Sequence, residues 1–156
     1  MRRRESHPDA GAAAVEFAIV SVLLLTILFG ILQYGYFFFQ ATGVEHAARE
    51  GARLASVGIR SSATVADPCT AFATEVDARA GTGDVTRVRA LFTNTDGVAG
   101  IARGDTVAVT VFWAPSDFQF PFLPFLGGGT LEETGTTRIE RLPASPAAPS
   151  NCDRTV

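Results

Sequence analysis

The chain has 156 residues, with 13 basic and 16 acidic side chains, and a formal net charge of −3. The basic residues, all arginine, form no stripe, so the sequence carries no electrostatic footprint for nucleic acid. Two cysteines and two histidines lying apart from them cannot supply a structural zinc site. After a leader and an apolar segment are set aside, roughly 100 residues remain, the size of one small domain.

Arg2, Arg3 and Arg4 open the chain, and an apolar stretch follows from Gly11 to Phe39. Within it, Phe17 to Phe39 is a run of 23 residues without a formal charge. As a helix it rises about 34 Å, enough for the ~30 Å hydrocarbon core of a bilayer. Ser21, Thr26 and Gln33 are its polar interruptions. The expectation is a membrane helix over 12–40 with residues 1–11 as a cytoplasmic leader, oriented by the positive-inside rule. That places the chain in the cell membrane as a single-pass protein with its C-terminal domain extracytoplasmic. Glu16 is the one charge at the edge of the run, in reach of the positive end of the helix dipole. Tyr34, Tyr36, Phe37, Phe38 and Phe39 read as an aromatic belt at the far interface.

Past Gln40 the three- and four-residue spacing continues through Val44, Ala47, Ala48, Gly51 and Ala55, extending the helix over 41–57. His46 sits among charges and reads as a solvated side chain. Residues 58–142 are expected to form a small α+β domain. Asp67-Pro68 opens a short helix ending at Gly81-Thr-Gly83, with Phe72, Val76 and Ala80 inward. The period then changes to two. Val88, Ala90 and Phe92 alternate with Arg87 and Arg89, and Val107, Val109, Val111 and Trp113 alternate with Ala108, Thr110 and Phe112. These predict an antiparallel hairpin, with a third, poorly patterned strand near 134–142. Arg103-Gly104-Asp105 spells an integrin-binding tripeptide, but a Gly-Asp turn before a strand is the simpler reading.

Between the second and third strands lie Phe118, Phe120, Phe122 and Phe125, interleaved with Pro121 and Pro124. Proline bars this stretch from a central strand or a helix interior. It is either an apolar loop closing the core or an exposed contact surface for another subunit or the membrane face. The Pro- and Ala-rich tail over 143–156 is expected to be disordered. Cys69 and Cys152 are candidates for a disulfide if the domain lies outside the cytoplasm. No nucleophile, histidine and acid assemble in the soluble part, so no enzymatic activity, cofactor or small-molecule substrate is expected.

Two blocks carry a family resemblance. Gly11-Ala-Ala-Ala-Val-Glu-Phe17, leading into the apolar helix, resembles the processing site of type IV prepilins and pseudopilins, most closely the tight-adherence (Flp) branch. Together with Ala47-Ala-Arg-Glu-Gly-Ala-Arg53 it is similar to the TadE-like family of minor pseudopilins. The resemblance implies cleavage between Gly11 and Ala12 by a prepilin peptidase, with Glu16 and Phe17 as further determinants. It also implies other pilus or pseudopilus subunits and an inner-membrane assembly platform as partners. Two other readings stay open: a permanently anchored extracytoplasmic binding module, and a secreted protein cut near Gly43.

Overall fold

The computed structural model describes residues 9–57, 67–95, 97, 101–116, 129–140 and 151–156. The element order is α1 (Asp9–Ser56), α2 (Pro68–Ala80), β1 (Asp84–Thr93), β2 (Thr106–Ala114), β3 (Leu131–Arg138) and β4 (Asn151–Thr155). The strands form one antiparallel sheet in the order β3-β2-β1-β4. The α+β architecture expected from the sequence is the one observed, with four strands where about three were expected.

The 48-residue helix α1 is unbroken and has two environments. From Val15 to Leu32 its large apolar side chains stand exposed, apart from the half-buried Phe29. From Gln33 onward one face is buried, and Val44, Ala47, Ala48, Gly51, Ala52 and Ala55 lie against the sheet and α2. Small residues on that face let backbones come close. A Cβ added to Gly135 of β3 would lie 2.5 Å from the Ala48 carbonyl oxygen, and one added to Gly43 would lie 2.7 Å from that of Ala80. The domain therefore begins near Gln33. The expected division of α1 at residue 40, with the domain starting at 58, does not follow the burial.

Helix α2 starts where its cap chemistry puts it. The Asp67 carboxylate accepts from Cys69 N at 2.9 Å, Pro68 occupies the first turn where an N–H is dispensable, and Gly81 at φ +69° ends the helix. Cys69, Phe72, Ala73, Val76 and Ala80 face the core. In the sheet, Val88 and Ala90 of β1 and Val107, Val109, Val111 and Trp113 of β2 are buried, as their alternation demands. A bulge between Val85 and Arg87 re-aims the start of β1.

The last two strands depart from expectation. β3 lies at Leu131–Arg138, a few residues before the expected 134–142. Its inward positions are Glu133, Gly135 and Thr137, of which only Gly135 is buried, because α1 passes too close for a larger side chain there. The tail is not disordered throughout. Residues Asn151–Thr155 form β4 on the free edge of β1, where Cys152 is buried and Arg154 pairs with Asp67. Residues 141–150 lie outside the described residues.

Candidate functional site

Gly11, Ala12, Glu16 and Phe17 all lie in the first turns of α1 and are exposed. Nothing approaches within 4 Å of a Cβ built on Gly11. Among the described residues, the segment is therefore open to an approaching macromolecule. Beyond it, the hydroxyls of Ser21 and Thr26 donate to the carbonyls of Ala18 and Val22 at 2.9 and 2.8 Å, so neither presents a free polar group along the exposed helix. Gly11–Ser56 includes a stretch long and apolar enough to cross a membrane, and none of its most apolar window is covered by the rest of the protein.

The junction between this stretch and the domain is built by Gln33, Phe37 and Gln40 of α1 with Trp113 and Ser116 at the end of β2. The sequence marked Gln33 as a polar interruption, Phe37 as a belt aromatic and Trp113 as a strand residue, with no role for Gln40 and Ser116. Gln33 and Gln40 are seven apart, on one face, and are 5% and 0% exposed. The Gln40 side-chain amide accepts from Ser116 N at 3.1 Å and donates to Ser116 O at 3.4 Å. It thus mimics a strand neighbour just past the end of β2. Phe37 stacks on Trp113 at 5.9 Å between centroids. The aromatic belt is split: Phe37 packs on the core, whereas Tyr34, Phe38 and Phe39 face away from it and are exposed. A seven-residue polar spacing within an apolar run was the available signal for this buried face.

A second constellation fixes the C-terminal strand. Cys69 at the start of α2 and Cys152 of β4 are joined in a disulfide, with Cα atoms 5.6 Å apart. Beside it Asp67 accepts from Arg154 at 2.7 Å. The Arg154 guanidinium, helped by Thr70 and the Cys69 amide, holds the Asp67 carboxyl below the ordinary aspartate range. On the open face of the sheet, Asp153 binds Arg87 and Arg89, and both guanidiniums lie over the Phe112 ring at 5.6 and 5.2 Å. Hydrogen bonding to Arg87 is the main cause of the lowered Asp153 pKa.

The tripeptide at Arg103–Asp105 is structural. Asp105 is buried and accepts from Thr95 N at 2.9 Å, Thr95 Oγ1 at 3.1 Å and Ala102 N at 2.7 Å. These donors lower its pKa, the two backbone amides foremost. With Gly104 at φ +96°, the carboxylate folds the loop onto itself instead of presenting it to a receptor. On α1, Glu45 pairs with Arg49 and Glu50 with Arg53, and the exposed His46 is close to them in sequence. The Arg53 hydrogen bond lowers the Glu50 pKa.

The Phe118, Phe120, Phe122 and Phe125 stretch lies outside the described residues. Its flanks do not. Ser116 is bonded to Gln40, and Leu131 is in register with Trp113.

Residues 11–53 match the family model described as TadE-like protein. The match covers both blocks that carry the resemblance, Gly11–Phe17 and Ala47–Arg53. No curated protein and no solved structure matches the chain.

Proposed function

We propose that this chain is a membrane-anchored minor pseudopilin or assembly component of a tight-adherence (Flp) pilus or a related secretion apparatus, with a structural and not a catalytic role. The observation that carries the reading is the continuity of α1. One helix holds the exposed apolar stretch and the domain's core face, and the TadE-like match spans both, over residues 11–53.

In this reading a prepilin peptidase cuts between Gly11 and Ala12 on the cytoplasmic side. Glycine at that position lets the enzyme approach the backbone closely, and the openness around Gly11 supports it. Glu16 stays in the mature chain, where an apolar surrounding would strengthen its pairing with the new amino terminus of a neighbouring subunit. Other pilus subunits and an inner-membrane assembly platform are the partners. The domain lies outside the cytoplasm, a placement that suits the Cys69–Cys152 disulfide. Cleavage near Gly43 fits poorly, because it would sever α1 where Gly43 meets the Ala80 carbonyl and would remove Phe37 and Gln40 from the domain.

The test is the mature N-terminus, read by mass spectrometry of protein from native membranes with and without the prepilin peptidase. A peptidase-dependent start at Ala12 is expected. An intact arginine-rich leader in both samples overturns the pseudopilin reading in favour of a permanent anchor, and a start near Val44 overturns both.

A further inference from the structure

The lengths of the two parts of α1 do not match a domain held clear of the bilayer. Past Glu16 the helix offers only the 16 residues from Phe17 to Leu32 before the domain begins at the buried Gln33. These rise about 24 Å, short of the ~30 Å hydrocarbon core. For a chain with no neighbouring subunit to pair with Glu16, drawing that carboxylate into hydrocarbon is costly, so the deficit is closed by thinning the bilayer or by lowering the domain end into the adjoining leaflet.

That end is built for the second course. No residue from Phe17 to Val44 carries a formal charge, so the uncharged stretch runs well past the point where the domain starts. Three other described stretches reach the same end, Gly83–Asp84 at the opening of β1, Trp113–Ser116 at the close of β2 and Gly129–Leu131 at the opening of β3, and Asp84, in register with Ala114, is the one charged residue among them. On the side of α1 turned away from the sheet, Phe38 and Phe39 are 64% and 63% exposed, with Tyr34 beside them. Phe17 to Phe38 rises about 33 Å, which puts these rings at the headgroup boundary where aromatic side chains concentrate.

We propose that the domain is seated in the leaflet next to it, with Phe38, Phe39 and Tyr34 in contact with lipid and Trp113 at the depth of the ester linkages. The lipid face of this protein is thus a helix on one side and, on the other, a domain end whose described stretches carry the single charge of Asp84. This rests on the reading of α1 as a membrane anchor, and the seating and the anchoring are separable by experiment.

Trp113, the chain's sole tryptophan, is a native depth probe: it is buried against Phe37 and held from both sides by the junction. The full chain is reconstituted into phosphatidylcholine vesicles containing lipids with a nitroxide near the ester linkage, or with one at the end of the acyl chain. Carbonate extraction of the same vesicles reports anchoring. The expected result is strong quenching of Trp113 by the shallow label, weaker quenching by the deep one, and at least a halving of the shallow quenching in a Phe38→Ser, Phe39→Ser variant. Both rings are exposed, so the variant should keep the wild-type emission maximum and circular dichroism.

A carbonate-resistant protein with no quenching by either label overturns the seating while leaving the anchor intact. Equal quenching of wild type and variant overturns the role given to the aromatic rings. Self-association abolished in the variant, without lipid quenching, assigns the face to a second copy of this chain instead. Extraction by carbonate fails the anchor reading, and the seating with it.

Discussion

The backbones of β3 and α1 approach closely in the core, and Gly135 tests that approach. A methyl group there would sit 2.5 Å from the Ala48 oxygen, 2.6 Å from its carbonyl carbon and 2.7 Å from the Arg49 Cα. Ordinary contact begins near 3.4 Å, so the strand and helix must part by about 0.9 Å. The atoms in the way are helix backbone, which cannot rotate aside as a side chain can. A gap of that size forfeits a quarter to a half of each dispersion contact along the seam, and overpacking of this kind costs about 1–3 kcal/mol. Gly135→Ala is expected at the top of that range or beyond. Gly51 is the control. Its added methyl would meet only the Val76 and Val109 side chains, at 3.0 and 3.2 Å, and alanine in a helix interior recovers about 0.5–1 kcal/mol over glycine. Gly51→Ala should therefore lie within about 1 kcal/mol of wild type. Gly43→Ala, facing the single Ala80 carbonyl at 2.7 Å, should fall between them. The assay is urea unfolding of the full chain in detergent micelles, followed by the emission of the buried Trp113. Equal midpoints for Gly135→Ala and Gly51→Ala would refute the argument that the obstructing atoms being backbone sets the cost.

Two further predictions concern the C-terminal clasp and the acids. Reducing the Cys69–Cys152 bond, which spans a sequence separation of 83, removes a constraint worth about 4–5 kcal/mol in the chain-entropy model. Thermal melts with and without reductant should differ accordingly, Cys69→Ser should reproduce the reduced curve, and hydrogen exchange should rise first in β4. Asp67, Asp105 and Asp153 all have folded pKa values below their ordinary ones. Their contribution to stability is thus complete above the unfolded aspartate pKa of about 3.9 and is lost as pH falls through the lower folded values. The urea midpoint should be flat near neutrality and drop in acid, and Asp105→Asn should make that acid limb shallower. An unchanged limb would mean that the Thr95 and Ala102 amides do not favour the ionised form.

Much of the fold was readable because local chemistry and burial agree. Asp67-Pro68 and Gly81 bracket α2 by satisfying its ends, and the valines of β2 alternate because one face of the sheet is covered. β3 was misplaced for the opposite reason. Its inward positions hold Glu133, Gly135 and Thr137, chosen by proximity to a helix backbone and not by hydrophobicity, so no alternation marks them. β4 lies in a segment of loop-like composition, and its order comes from the long-range Cys152 and Arg154 contacts. Local pattern has no access to either. Of the candidate site, the Gly11–Phe17 block was visible as a motif, whereas the role of Gln40 appears only when Ser116 is brought beside it.

Burial on α1 begins at Gln33 and not at residue 40, because hydropathy records the wish to leave water and not the destination. From Phe17 to Leu28 the large apolar side chains are exposed; from Gln33 to Phe39 the same kind of residue divides, with Phe37 going to the core and Phe38 and Phe39 facing outward. A helix buried only in lipid gains nothing from a glutamine, since an unpaired amide there is costly. Two glutamines one heptad apart must therefore face a surface that satisfies them, and for Gln40 that surface is the backbone at the end of β2. The apolar run therefore splits into an exposed stretch and a protein-facing segment, both carried on the one continuous helix α1.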